Sequence, residues 1–379
     1  MSGIPWAGQG GSPLAELGQI LGRRWAHLEE AWETTLRANH LVSKIIEDKL
    51  IASGIDPNSD TSVIMHGSLA RHECTQGSDL DWTLLVDSQA DAKDQKTCLA
   101  IKSALSDESI FKELGLKQPG PEGAFGGVEF SQPIVHFIGG EEDSNSNTTR
   151  RVLLLLEAQP IGIRREAFDR VRKGILRRYI DEDRGLLRKS LADENVRWVP
   201  LFLLNDFARY WRTMAVDFAY KQFNRGNQGY ALRNIKLGVS RKLLFASGLL
   251  ACFWCDPEIS KDKNQEASKL SLLNCLDTFL SLTPLERLAL FISVQIKTAD
   301  SEFIRKTAAD LFGAYDEFLG LLNDPERRKH LNELTPDDDT DAVFQEARII
   351  RRSFGLAIQE MFLGEGSPLR QHSIEKGVF

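Results

Sequence analysis

The feature that most constrains this chain is a glycine-serine pair followed eleven residues later by two aspartates at alternate positions. Gly67-Ser68 follows one apolar segment, and Asp79 and Asp81 lead into a second. This order predicts a strand, a tight turn into a short helix, and then another strand. Because alternate residues of a strand point to the same side of a sheet, the two carboxylates should lie side by side.

Two carboxylates on one side of a sheet are suited to a hard divalent cation. Mg²⁺ prefers oxygen ligands and usually shares its coordination with phosphates and water. Gly67 permits the backbone to approach a ligand closely, and Ser68 with the first amides of the following turn can donate hydrogen bonds to phosphate oxygens. Together these residues predict a site for a nucleoside triphosphate bound with Mg²⁺ or Mn²⁺.

The glycine-serine pair and the Asp-x-Asp motif together resemble the signature of the DNA polymerase beta-type nucleotidyltransferase superfamily. Segments 67–71 and 77–81 are most similar to its subgroup of nitrogen-regulatory protein uridylyl- and adenylyltransferases and their uncharacterised relatives. A further segment, 234–242, is similar to the lysine-glycine-arginine segment that follows the catalytic domain in that subgroup. The resemblance implies an α/β nucleotidyltransferase head that transfers a nucleotide with the help of Mg²⁺.

The resemblance also implies a third carboxylate on a neighbouring strand. Glu129 lies between two apolar residues in a segment, 126–130, that is predicted to be a strand. His136 has a similar setting in a second predicted strand, 134–138, and the acidic residues 141–143 follow a glycine pair. Since a strand holds a carboxylate rigidly, we expect Glu129 to complete the catalytic and metal-binding set. A chain without a third carboxylate would be a weak or inactive enzyme.

Basic residues near these motifs are candidates for contacts to the nucleotide phosphates. Arg71 lies one turn after the glycine-serine pair and is either a phosphate ligand or an exposed basic residue. Lys236 and Arg241 lie in the second similar segment, where they would supply positive charge to the triphosphate. The alternative for this pair is a solvated helix face.

Composition places the chain among soluble globular proteins of a reducing compartment. It has 379 residues, 42% of them hydrophobic and 27% charged, with a formal net charge of −7. No apolar run approaches the roughly 20 residues that a membrane-spanning helix needs, and the N-terminus lacks the pattern of a secretory signal. Five cysteines are too few and too scattered for a disulfide framework. We expect a cytoplasmic protein with no membrane partner.

The pattern along the chain predicts a head with a mixed sheet followed by a larger all-helical domain, α+β overall. Residues 1–55 are predicted to form an N-terminal helical segment and residues 56–150 the nucleotidyltransferase catalytic domain. Residues 151–363 are predicted to be the helical domain, and residues 364–379 a flexible tail.

The expected reaction is the transfer of an NMP from a nucleoside triphosphate such as ATP to an acceptor hydroxyl, with release of pyrophosphate. The resemblance implies a protein side chain as acceptor, in particular a tyrosine hydroxyl. Residues 150–189, with twelve lysines and arginines against six acidic residues, would suit an RNA end instead. Two alternatives stay open: a nucleotide second-messenger synthase in phage defence, and a catalytically degraded module with a regulatory or binding role.

Overall fold

A computed structural model of the chain describes residues 12–55, 60–106, 112, 115–117, 125–162, 164–183, 198–224, 226–255, 265–299 and 301–377. Contacts divide the chain into two compact units. The first, called the head here, comprises His27–Ile175 and Leu322–Pro325. The second, called the helical unit, comprises Met1–Ala26, Leu176–Leu321 and Glu326–Phe379, and its first helix is α1 (Pro13–Leu21).

The head is built on a mixed sheet of four strands in the order β3-β2-β1-β4. The strands are β1 (Thr61–Met65), β2 (Trp82–Val86), β3 (Gly127–Phe130) and β4 (Gln159–Ile161). β1 is antiparallel to both β2 and β4, whereas β2 and β3 are parallel. The predicted mixed sheet is therefore confirmed, and the strands predicted before the glycine-serine pair, after the aspartates and around Glu129 are all present.

Among the residues that the structure describes, six helices accompany the sheet in chain order. They are α2 (Ala26–Ala52), α3 (Gly67–Ala70), α4 (Ala92–Ala104), α5 (Ser131–His136), α6 (Asn145–Leu156) and α7 (Glu166–Glu182), whose last turns belong to the helical unit. α2 and α4 share one apolar core with one side of the sheet, because both present apolar residues at helical spacing to it. α2 thus packs in the head, whereas the sequence placed it in a separate N-terminal segment.

One predicted strand is wrong. Residues 134–138 were expected to be extended, but α5 occupies Ser131–His136. Pro133 is tolerated there because the amides of a first helical turn need no intrahelical acceptor. The carbonyl of Ile134 accepts a hydrogen bond from the guanidinium of Arg151 in α6, which ties this short helix to its neighbour.

The helical unit confirms the predicted all-helical body. After α7 it contains α8 (Leu201–Asn224), α9 (Tyr230–Lys236), a π-helical segment (Leu237–Arg241), α10 (Lys242–Trp254), α11 (Gln265–Leu280), α12 (Pro284–Ala299), α13 (Glu302–Asn323), α14 (Pro325–Glu333), α15 (Ala342–Leu363) and α16 (Arg370–Lys376). The expected flexible tail instead carries α16, next to which Leu369 is buried.

By length and composition, one helical stretch is apolar enough to cross a membrane. Among the described residues it is Tyr230–Trp254, and 67% of its apolar window is buried inside the protein. A second candidate arises only if Glu266–Leu280 and Pro284–Ala299, which are bent by 114°, are counted as one span.

Candidate active site

The glycine-serine turn and the Asp-x-Asp segment meet at one edge of the sheet. The amide of His66 donates to the carbonyl of Asp81 at 2.9 Å, which extends the β1–β2 ladder by one residue. Gly67 follows with φ +69°, a conformation that favours glycine. A Cβ placed on Gly67 would lie 3.2 Å from Oδ2 of Asp81, so glycine also provides the space that this carboxylate occupies.

The two aspartates lie on the same side of the chain, opposite the core. They precede β2 rather than lying within it, in a segment whose backbone pairs with Lys117: the amide of Leu80 donates to the Lys117 carbonyl at 2.9 Å. Leu80 and Trp82 are buried in the core, whereas Asp79 is exposed and Asp81 half-buried. Burial therefore alternates along residues 79–82, as in a strand with one side in the core, and both aspartates keep some exposure to solvent.

Ser68 follows Gly67 directly in the short helix α3. The backbone of the turn is held by bonds from the Arg71 amide to the Gly67 carbonyl and from the Glu73 amide to the Ser68 carbonyl. The hydroxyl of Ser68 is half-buried and makes no hydrogen bond within the described part of the chain. It is thus able to donate to an incoming oxygen ligand.

His66 is a site residue that the sequence did not single out. Its ring is buried, with Nε2 3.1 Å from Oγ1 of Thr83 and its face against the ring of Phe125. Burial lowers the pKa of His66 to about 4, against a smaller opposing effect of the Glu157 carboxylate. The imidazole is therefore neutral at physiological pH, and it contacts Thr83 and Phe125 next to the backbone that pairs with Asp81.

Arg71 does not have the role that the sequence suggested. Its guanidinium donates from Nε to Glu73 at 2.9 Å and from Nη1 to Glu157, and all three side chains are buried. A buried cation between two carboxylates is committed to internal pairing. The predicted contact between Arg71 and phosphate is therefore replaced by a role in anchoring the turn that follows Ser68.

Glu129 does not reach the two aspartates. In the parallel register of β2 and β3 it pairs with Leu85, four residues beyond Asp81, which is about 13 Å at the rise of a strand. Continued two residues before the start of β3, the same register would bring Phe125 level with Asp81. Burial raises the pKa of Glu129 to about 7, partly offset by Arg150, and its Oε1 has no hydrogen-bond partner. The expected third carboxylate is thus a buried acid elsewhere on the sheet.

The other candidates for a third carboxylate are also engaged elsewhere or exposed. Asp143 forms a two-pronged ion pair with the buried Arg151, at 3.1 and 2.8 Å. His136 ends α5 and is exposed, as are Glu141 and Glu142. Within the described residues, no group of three or more His, Cys, Asp or Glu side chains is arranged to hold a metal ion.

Lys236 and Arg241, the remaining predicted phosphate contacts, belong to the helical unit. Lys236 is the last residue of α9, and Arg241 ends the π-helical segment that follows it directly. Both side chains are half-buried, and both have interactions within the protein.

The head has the arrangement expected of the nucleotidyltransferase class: a glycine-serine turn packed against an Asp-x-Asp segment at the edge of a mixed sheet. Residues 23–173 match the family model described as the N-terminal domain of SidM. The matched region nearly coincides with the head as defined by contacts, His27–Ile175, and it is consistent with the nucleotidyltransferase superfamily. A comparison with curated proteins gives no match. The narrower similarity to the nitrogen-regulatory subgroup remains an expectation.

Proposed function

We propose that the head is a Mg²⁺-dependent nucleotidyltransferase that moves an NMP from a nucleoside triphosphate to an acceptor hydroxyl and releases pyrophosphate. The observation that carries this proposal is the contact between Gly67 and the carboxylate of Asp81. This contact brings together the glycine-serine turn, proposed to bind phosphate, and the Asp-x-Asp segment, proposed to bind the cation. The match to the SidM N-terminal domain supports the proposal at the level of the superfamily.

The residues of the head have distinct roles in this proposal. Asp79 and Asp81 would hold the cation, which fits their oxygen chemistry and their accessibility from one side. When bound, Mg²⁺ would neutralise charge on the phosphates as pyrophosphate leaves. Ser68 would donate to a phosphate oxygen, and Gly67 lets the backbone come close enough for that bond. The buried Arg71 holds the turn in place by its two ion pairs.

The acceptor is proposed to be a hydroxyl of a protein side chain, with an RNA end as the alternative. The protein acceptor rests on the sequence similarity of segments 67–71 and 77–81. The RNA acceptor rests on the basic composition of residues 150–189. Of these, Arg165, Arg170 and Arg178 form ion pairs with acidic neighbours, which reduces the positive charge available to a polyanion.

A second candidate function follows from the position of Phe125. If the register of β2 and β3 is continued two residues before β3, Phe125 stands level with Asp81, where a third carboxylate would complete the set. A site with two carboxylates would bind a nucleotide and cation while transferring the nucleotide slowly or not at all. In that case the head would act as a nucleotide-dependent binding or regulatory module.

The deciding experiment incubates purified protein with Mg²⁺ or Mn²⁺ and each α-labelled nucleoside triphosphate, with and without cell extract. The variant Asp79→Asn/Asp81→Asn removes the proposed cation ligands with little change in shape. Asp48→Asn is the matched control, since Asp48 is an exposed carboxylate on α2 in the same unit.

Label in protein, in RNA or in a small product would identify the acceptor class, and that label should vanish in the double variant and persist in the control. Nucleotide binding without transfer would favour the regulatory module. Neither binding nor transfer with any nucleotide would overturn both candidate functions.

A further inference from the structure

Two basic side chains in the helical unit come together where α15 packs on the π-helical segment. Lys242 opens α10 directly after that segment, and Arg351 lies in the middle of α15. Each of the two basic side chains lies against a glycine: Arg351 against Gly238 of the π-helical segment, and Lys242 against Gly355 of α15. A Cβ on Gly238 would lie 2.1 Å from Nε of Arg351, and a Cβ on Gly355 would lie 3.2 Å from Nζ of Lys242.

This reciprocal arrangement lets two positive charges approach one another across the helix contact. With any other residue at Gly238, the side chain of Arg351 would have to leave its place along the π-helical backbone. π-Helical insertions of this kind cost helix regularity and occur frequently at functional sites. The glycines therefore create room for the two cations and not for apolar packing.

The part of the chain that the structure describes offers no counter-charge to this pair. Within the described residues neither Lys242 nor Arg351 makes an ion pair or a hydrogen bond. Glu346, the acidic residue of α15 closest in sequence to Arg351 on its N-terminal side, is paired with Arg327 instead. Burial lowers the pKa of Lys242, and the neighbouring Arg351 guanidinium lowers it further. Like charges held together without a partner destabilise a fold unless an anion joins them.

We propose that Lys242 and Arg351 form a binding site for a phosphate-bearing anion in the helical unit. The guanidinium fork matches two oxygens of a phosphate group, and the lysine ammonium supplies a second, compact charge. Anion binding at this place is independent of the nucleotidyl transfer proposed for the head.

The test measures anion binding by full-length protein in EDTA, so that cation-dependent binding at the head is suppressed. Thermal unfolding is followed in sodium phosphate and in sodium chloride of equal ionic strength, and the dissociation constants of phosphate, tripolyphosphate and ATP are measured by calorimetry. The variants are Lys242→Gln and Arg351→Gln. Arg352→Gln is the matched control, because it removes the same charge from the next residue of α15, and Arg351 and Arg352 are both exposed.

Phosphate should raise the unfolding temperature more than chloride does, and each of the two variants should weaken anion binding about tenfold or more, as expected for a charge-assisted hydrogen bond. Without anion, the two variants should be at least as stable as the natural chain, because a like-charge contact is relieved. Equal loss of binding for all three anions assigns the site to the phosphate group, whereas a loss confined to ATP assigns it to a nucleotide.

Anion binding that survives in both Lys242→Gln and Arg351→Gln, or that falls equally in Arg352→Gln, would overturn the site. So would an unfolding temperature that responds identically to phosphate and chloride. The double variant Asp79→Asn/Asp81→Asn should retain the phosphate effect in full. The outcome at this site is thereby distinguishable from the outcome of the labelling experiment on the head.

Discussion

Gly67 lies so close to the carboxylate of Asp81 that a Cβ on the glycine would sit 3.2 Å from Oδ2. Two motifs separated in sequence thus form one contact in space, and the contact depends on the absence of a side chain. Replacing Gly67 would disturb the position of the carboxylate as well as the backbone of the turn.

Gly67→Ala should reduce nucleotidyl transfer at least tenfold, since the methyl group would press on the Asp81 carboxylate. It should also lower the free energy of unfolding by about 1–2 kcal/mol, because alanine resists a positive φ. Gly54→Ala is the control, as Gly54 has φ +63° in the same unit and the methyl group that alanine adds there would meet nothing within 4 Å. Transfer assays and urea unfolding on both variants separate the two effects, and an equal loss of transfer in both would contradict the contact.

Glu129→Gln should leave the rate of transfer within about twofold of the natural rate. The register puts this carboxyl opposite Leu85, beyond the reach of a cation bound to the two aspartates. The measurement compares the steady-state transfer rates of Glu129→Gln and Asp79→Asn. The rate of Asp79→Asn should fall about a hundredfold or more. A loss in Glu129→Gln as large as that in Asp79→Asn would restore Glu129 to the catalytic set.

The same substitution should change how stability depends on pH. The pKa of Glu129 is raised from 4.5 to about 7 in the folded chain. Between these values the folded state binds a proton that the unfolded state has lost, so the free energy of unfolding falls as pH rises. The free energy of unfolding is lowered by up to about 3 kcal/mol in this way, and the full decrease is reached above pH 7. Urea unfolding from pH 4 to pH 8 should show this decline in the natural chain and not in Glu129→Gln, and parallel curves would contradict the shifted pKa.

Arg71→Met should destabilise the head by about 3–5 kcal/mol, because it leaves the buried carboxylates of Glu73 and Glu157 without their shared cation. Arg170→Met is the matched control. Arg170 also pairs with two carboxylates, Asp60 and Asp87, but its side chain is 45% exposed and the cost should stay below about 1 kcal/mol. Similar midpoints of denaturation for the two variants would argue against the internal role of Arg71.

What the sequence predicts well is local. The turn at Gly67 and the alternation of Asp79 and Asp81 about Leu80 depend on neighbouring residues, and the pattern of apolar positions carries that information. The partner of Arg71 does not follow from such a pattern. Glu157 lies 86 positions away, and nothing near Arg71 indicates that its charge is buried.

The position of Glu129 shows a second limit. Alternation places this residue on the same face as Asp81, as the pairing with Leu85 bears out. The register of one parallel strand against the next depends on the segment that connects them. The pattern of residues within a strand does not determine that register. The helix at Ser131–His136 was missed for a related reason, since β-branched residues favour a strand only where a neighbouring strand is there to pair with them.

Because β1 pairs with β4, the sheet of the head cannot be completed during translation until residues 159–161 have been synthesised. Ser62, in β1, accepts a hydrogen bond from the amide of Phe168, 106 positions later in the chain. A nascent chain that has emerged only as far as the two aspartates lacks β4, Glu157 and this bond. Contacts this distant in sequence form late. The sheet that carries the candidate site therefore stays incomplete, with one edge of β1 unpaired, until translation has passed Phe168, and an unpaired strand edge is prone to aggregation.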